Sequence, residues 1–492
     1  MSQPSDIDNS QPTRRVGKGL TSISFQSTNQ QIFRALLSLA SANLLVRIMG
    51  MLNQVVITAR FGQGPTMDAY FVAQTLPILL AQLLSSALEA SVIPVYAHVR
   101  AKEDKTQVSR LFSTLLNILL LGLVIFTIIM LCFRNQITLY SAPALKQHTL
   151  DLAAALTPFI FPVLLLMTVN SFMECLLNTE GQFGWPAYAG ILVPITTTTC
   201  ILLGGASFGV VMLCIGTLIG QVIQLIIVII RTHQAHIRYQ LVLDLRSKEL
   251  ASIAIVAWPA LLGALISQSS SLIDQIFASS LTEGSIAAMN NALKLISVPV
   301  GVIFASIGRA VLPYLAGQIA LKDIHSFKET LRLYLWAIGL ITLGLSAGMI
   351  LLAHPIVQIL FQRGAFSVED TTRTAMTLIG FAIGLTPMAI GFIASKAFSA
   401  LGKTHILMYV TIFSIFANAI FDYIFGRLWQ SFGIALATSM VYFCTMWLLL
   451  LMLRRMIGKL YLLTFPLELW SIIWKMGLSQ HAPRWFLEKK GV

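Results

Sequence analysis

Runs of about 20 apolar residues, the length a helix needs to cross a hydrocarbon core about 30 Å thick, recur along this chain from residue 32 to residue 453. Twelve can be placed, near 32–60, 67–97, 109–133, 149–177, 184–204, 207–230, 250–280, 284–315, 330–353, 372–400, 405–425 and 430–453. Lipid offers the backbone no hydrogen-bond partners, so a spanning segment must be a helix or part of a closed barrel. Barrel strands alternate polar and apolar residues, and these runs do not. Composition agrees, with 56% hydrophobic and 11% charged residues, where a soluble domain carries about a quarter charged. The chain reads as an all-α polytopic membrane protein of about 12 transmembrane helices.

A formal net charge of +13 would suit nucleic acid if the basic residues formed one patch, but the spans divide them. One set of loops holds the clusters Arg14 to Arg34, Arg100 to Arg110, Arg231 to Lys248, Lys322 to Arg332, Lys403 and Arg454 to Lys490. The other holds only Arg60, Arg134, Lys146, Arg363, Arg373 and Arg427. The positive-inside rule assigns the first set, and both termini, to the cytoplasm. The expected partners of this charge are anionic membrane lipids, not nucleic acid. Residues 1–30 are rich in Ser, Gln, Asn and Thr and lack the apolar run of a signal peptide, so they read as a flexible cytoplasmic tail. The five cysteines sit in apolar stretches without metal-ligand spacing and read as small buried hydrophobes.

The longest internal loop, RTHQAHIRYQLVLDLRSKE at 231–249, divides the twelve spans into two sets of six. A faint repeat supports the division: VIPVYAHVRAKEDK after span two matches VLPYLAGQIALKD after span eight, with Pro94 and Pro313 in register. Two six-helix lobes around a central cavity is the expected architecture, the lobes covering 31–231 and 250–454 with a linker at 232–249. Prolines such as Pro77, Pro158, Pro259 and Pro299 predict bent helices, and Gly216/Gly220 and Gly380/Gly384 allow close helix contact. The tail at 455–492 contains LYLLTFPLELWSIIW (460–474), too short to cross and flanked by basic residues, which reads as an interfacial segment.

Enzyme signatures are missing. Upstream of SALGKTH (399–405), Ala397 stands where a phosphate-binding loop requires glycine, and no HExxH occurs. A transporter, not an enzyme, is expected, with no cofactor beyond a coupling cation of unknown identity. Ionisable groups within spans are more informative, since each costs on the order of 3 kcal/mol at the centre of a helix unless paired or wetted. They are Arg47, Glu89, Glu174, Asp274, Lys294, Arg309, Lys396 and Asp422. Arg47 and Lys294 are the expected cavity residues, and Asp274 and Glu89 the candidate coupling acids. The histidines lie in loops or at their edges, which argues against a histidine proton relay.

At ARFGQGPTMDAYFVAQTLPILL (59–80) the chain resembles the MurJ/MviN lipid II flippase family, within the multidrug, oligosaccharidyl-lipid and polysaccharide exporter superfamily. KLISVPVGVIFASIGRAVLP (294–313) and LFQRGAFSVEDT (360–371) extend the resemblance over nearly all twelve spans. It implies movement of lipid II, an undecaprenyl-diphosphate-linked disaccharide peptide, from the inner to the outer leaflet of a bacterial plasma membrane for peptidoglycan synthesis. It also implies a diphosphate gripped by cavity arginines, which bind phosphate oxygens bidentately. Arg47 matches one of them. Asn53 and Gln54 replace an Arg-Asp pair, Ala81 and Gln82 replace paired arginines, Lys294 replaces an arginine and Ser297 a glutamate. Arg47, Lys294, Asn53, Gln54, Gln82 and Ser297 are therefore the expected substrate-binding set, with Asp68 of the family motif a structural or coupling acid beside Asp274 and Glu89. The replacements keep open a second reading, export of an exopolysaccharide or O-antigen-like lipid-linked intermediate. A third is a non-transporting scaffold that recruits cell-wall or polysaccharide synthases. The family's two further C-terminal helices are not expected after residue 453.

Overall fold

The computed structural model describes residues 20–101, 105–182, 184–235, 237 and 239–458, and among them all regular secondary structure is helical. The first lobe contains α1 (Leu20–Phe61), α2 (Pro65–Ala101), α3 (Lys105–Cys132), α4 (Arg134–Ser141), α5 (Gln147–Thr179), α6 (Gly184–Ala189), α7 (Leu192–Phe208) and α8 (Val211–Gln234). The second contains α9 (Lys248–Ala278), α10 (Ser285–Ala320), α11 (Ile324–Leu351), α12 (Ala353–Phe361), α13 (Val368–Ile383), α14 (Leu385–Ala400) and α15 (Thr404–Ile457). Residues 20–30, expected within the flexible tail, are helical in α1. They contain no Gly or Pro, and extending an existing helix avoids the cost of a new nucleus. The interfacial segment expected at 460–474 lies outside the described residues.

Among the described residues, eleven stretches are long and apolar enough to cross a membrane. One of them supplies two crossings. The 54 residues of α15 would reach about 80 Å as a straight helix, but Trp429 and Gln430 have non-helical backbone angles. A Cβ on Gly433 would fall on the Phe425 carbonyl, and one on Gly426 would stand 3.4 Å from Ile434, so the arms on either side of the break pack together. Conversely, α6 and α7 form one crossing broken near Gly190, and α13 and α14 one broken at Gly384. The result is twelve crossings, six per lobe.

Short polar residues start several helices. Ser247 accepts from the Leu250 amide at the start of α9, and Ser367 and Asp370 form a reciprocal capping box on α13. Pro65 opens α2, where its missing N–H costs nothing. In each lobe the third crossing is followed by a short helix, α4 in one and α12 in the other, which repeats the pattern seen faintly in sequence. The small-residue pairs also recur as seams. Gly220 lies against Val193 of α7, where a Cβ would be 2.6 Å from its Cα, and Gly384 lies against Ser439 of α15, with 2.8 Å to its Cα. No side chain fits between these backbones.

The cores explain how the lobes meet. One apolar cluster draws on both, joining Ile57, Met67 and Tyr70 to Ile286, Phe361, Phe366 and Leu378. The other two are nearly separate: Tyr96, Phe112 and Phe172 in the first lobe, and Phe327, Phe398 and Leu453 in the second. The lobes are thus fused at the end carrying the α1–α2 turn, here called the gate end. They part toward the opposite, basic end, where Arg100, Arg231, Lys248 and Arg454 lie. Large apolar side chains such as Leu202, Leu203 and Phe416 project outward, as lipid requires of a surface with no water to exclude.

Candidate functional site

The gate end is closed by backbone as much as by side chains. The Ala365 amide donates to the Ala59 carbonyl at 2.8 Å, across lobes. Gly62 and Gly364 both have positive φ, 64° and 59°, and a Cβ on Gly364 would land on the Ala59 carbonyl. Asp68, in the first turn of α2, caps the partner lobe. Its carboxylate accepts from the amides of Gly284 at 2.5 Å and Ala287 at 2.8 Å, at the N-terminus of α10. Carboxylate charge there is favoured by the helix dipole and by amides with no intrahelical acceptor. Lys146 pairs with Glu283 at 2.9 Å, and Arg373 donates to the Glu283 carbonyl at 2.5 Å.

Below this gate lies a cavity of about 610 Å³ between the lobes. Arg47, Asn53, Gln54, Lys294 and Ser297, five of the six expected binding residues, line it. The two cations cross over. Arg47 of α1 reaches α10, donating to the Ser297 carbonyl at 2.8 Å, and its guanidinium occupies the space a side chain would need at Gly301. Lys294 of α10 reaches α1, its Nζ 3.8 Å from where a Cβ on Gly50 would stand. Neither forms an ion pair with a carboxylate among the described residues. Two such cations from opposite lobes give the cavity wall a positive field.

The uncharged members of the expected set divide. Gln54 is buried and donates to Asn291 at 2.7 Å, so its amide ties α1 to α10. Asn53 accepts from Thr198 at 2.9 Å, which leaves its NH₂ toward the cavity. Gln82 lies outside the main cavity. It accepts from Gln268 of α9 at 2.7 Å, on the wall of a neighbouring pocket of about 270 Å³ that shares Phe71, Gln74, Ile78 and Asn290 with the first. Glu89 is exposed on α2, nearer the basic end, and lines neither pocket.

Asp274 lies on the wall of the second pocket. Asn418 donates to it at 2.9 Å and to Asp422 at 3.2 Å, and Thr438 is 3.5 Å away. The Asn418 amide thus bridges the two carboxyl groups. Asn418 Oδ1 and Asp422 Oδ1 are buried without a partner. This oxygen cluster joins α9 to the first arm of α15 and, through Thr438, to the second. Sequence reasoning missed Asn418 and Thr438, and the amides Gln74, Gln221, Gln224 and Asn290 that line the cavities. All are neutral, so a search for charge in apolar runs passes over them. A carboxamide in such a run is the signal that would have found all but Thr438.

A family model described as "Lipid II flippase MurJ" matches residues 57–481. The probable lipid II flippase MurJ of Rickettsia prowazekii is 25% identical over 416 residues, covering 83% of this chain and 81% of that protein. That of Buchnera aphidicola subsp. Acyrthosiphon pisum is 27% identical over 435 residues, covering 87% and 84%. A solved lipid II flippase MurJ in an inward closed conformation superposes with TM-score 0.74 at 23% identity, over 85% of this chain and 87% of that one. An inward-facing multidrug transporter of the MATE family gives 0.73 at 17% identity, over 86% and 98%. An outward-facing MATE structure gives 0.60 at 17% identity, over 87% and 96%. The structures speak to fold alone.

Proposed function

Because the chain belongs to the MurJ lipid II flippase family, and is a multi-pass bacterial inner-membrane protein, we propose that it moves lipid II from the inner to the outer leaflet by alternating access. The observation that carries the reading is the crossed pair Arg47 and Lys294 in a cavity closed at the gate end. A diphosphate has the charge that two such cations attract. Seated between them, it relieves their mutual repulsion and draws α1 and α10 together, so the cargo itself favours a change in lobe angle. The glycan occupies the polar cavity while the isoprenoid tail stays in lipid. The basic end faces the cytoplasm, both termini included, since loops there carry most of the Lys and Arg.

The Asp274 cluster supports a coupling role for a monovalent cation. Two buried carboxyl groups that share one amide donor repel each other when both are charged, and a proton or a cation beside them relieves that repulsion. The orphaned oxygens of Asn418 and Asp422, with Asp274 and Thr438 beside them, form an all-oxygen donor set of the kind hard cations prefer. Loading such a site would hold α9 against both arms of α15 and so change the stiffness of the second lobe.

The test is reconstitution into liposomes with lipid II and measurement of the lipid reaching the opposite leaflet. Arg47→Ala with Lys294→Ala is expected to cut the rate at least tenfold. Unchanged transport by the double variant would remove the cavity from the mechanism.

A further inference from the structure

The wall of the cavity contributed by α8 carries two glutamines whose orientations are set from behind. Gln221 and Gln224 are each 8% exposed, and both line the cavity. Asn170 of α5 donates through Nδ2 to the Gln221 backbone carbonyl at 3.2 Å and to Gln221 Oε1 at 2.9 Å. A backbone carbonyl can only accept, so the Asn170 NH₂ must face α8, and the Gln221 atom it meets must be the oxygen. The Gln221 NH₂ is left toward the cavity. Gln224 is fixed in the opposite sense. Its Nε2 donates to Glu174 Oε1 at 3.0 Å, which leaves the Gln224 carbonyl toward the cavity.

We propose that Gln221 and Gln224 form an amide-reading subsite, one presenting a donor and the other an acceptor to a secondary amide of the cargo headgroup. Residues at i and i+3 on a helix have Cβ atoms about 5–6 Å apart, so the two can engage the C=O and the N–H of one trans amide. The position suits a headgroup. A Cβ on Gly190 would stand 3.9 Å from Gln224 Nε2 and 3.6 Å from Val46 Cγ2, which puts Gln224 beside the residue preceding Arg47. A diphosphate at Arg47 therefore delivers the attached sugar to this wall. Asn170 and Glu174 are positioning residues, holding the carboxamides against rotation. A pair set this way discriminates, because a cargo with a hydroxyl in place of the amide leaves nearly buried groups unpaired. The inference deepens the flippase reading and rests on it. It names the chemistry read beside the diphosphate as an amide, whether a sugar acetamido group or a bond of a peptide stem.

Binding of four lipids to the full chain in nanodiscs tests it: undecaprenyl diphosphate alone, the same lipid carrying N-acetylglucosamine, the same carrying glucose, and one carrying a peptide-bearing sugar without an acetamido group. The acetamido or the peptide lipid is expected to bind on the order of tenfold tighter than the glucose lipid, and which of the two does so identifies the amide. Gln221→Leu should bring that ratio toward one. Glu174→Gln should do the same without removing either reader, since Gln224 can then turn over, a result that loss of packing would not give. Equal affinity of the wild-type protein for all three glycosylated lipids overturns the subsite while the flippase reading stands. Failure of undecaprenyl diphosphate itself to bind overturns that reading, and this inference with it.

Discussion

Replacing Gly301 with alanine puts a methyl group where the Arg47 guanidinium now lies. The new Cβ would stand 2.5 Å from Arg47 Nη1 and closer still to Cζ, against a normal contact of about 3.5 Å or more. The obstacle is the end of a flexible side chain, so the guanidinium yields and the helix does not. Alanine in place of glycine favours the helix by roughly 0.5–1 kcal/mol, so the fold is expected to melt at the same temperature or higher. What is lost is the seat from which Nη1 reaches the Ser297 carbonyl at 2.8 Å and faces the cavity. A hydrogen bond to a charged group contributes about 1.5–3 kcal/mol, which corresponds to weakening of diphosphate binding by about 10- to 100-fold. The assay is the affinity for undecaprenyl diphosphate in nanodiscs, with thermal melting in parallel. A double-mutant cycle sharpens it: with Arg47→Ala already present, Gly301→Ala should have no further effect. The reasoning is refuted if the single variant binds normally, or if the loss persists when Arg47 is absent.

Asp68→Ala leaves the Gly284 and Ala287 amides without their acceptor, at a cost of about 1–3 kcal/mol. Spin labels across the gate end should then show a larger fraction of open molecules, and an unchanged distance distribution would count against the cap. Gly364→Ala should hold the gate end open more severely. Its obstacle is the Ala59 carbonyl, and its φ of 59° disfavours any side chain, so crosslinking between cysteines at 59 and 365 should fail. Asp422→Asn is expected to abolish any rise in melting temperature on adding sodium or another monovalent cation. A rise retained in the variant would place the coupling site elsewhere. Asp323 caps α11 at the basic end, and its hydrogen bonds with Ser326 hold the carboxyl below the ordinary carboxylate range. Its contribution is therefore complete at neutral pH and lost as pH falls through that lowered value. Asp323→Asn should flatten this acid dependence of melting.

Much of the cavity could be anticipated because charge in an apolar run is costly and so stands out. Arg47 and Lys294 were found on that ground, and both line the cavity. Gln221 and Gln224 were not, since carboxamides disturb hydropathy little and their value depends on Asn170 and Glu174 of another helix. Asp68 shows the same limit from the other side. Its place in the first turn of α2 explains a charge there, yet the amides it satisfies belong to α10, 216 residues further along. Gln54 and Gln82 were grouped with the binding residues by position in a motif, and only the structure shows that through Asn291 and Gln268 each also bridges the lobes.

Sequence alone determined the solvent. Runs of sufficient length and the scarcity of charge require helices in lipid. Those properties are additive along the chain and need no knowledge of what packs on what. Which end of the molecule is shut was decided only in three dimensions, by one core shared between lobes and two kept nearly apart. The reason is that closure depends on complementary backbone surfaces, such as Gly62 and Gly364 against Ala365 and Ala59, and sequence distance says nothing about which surfaces meet.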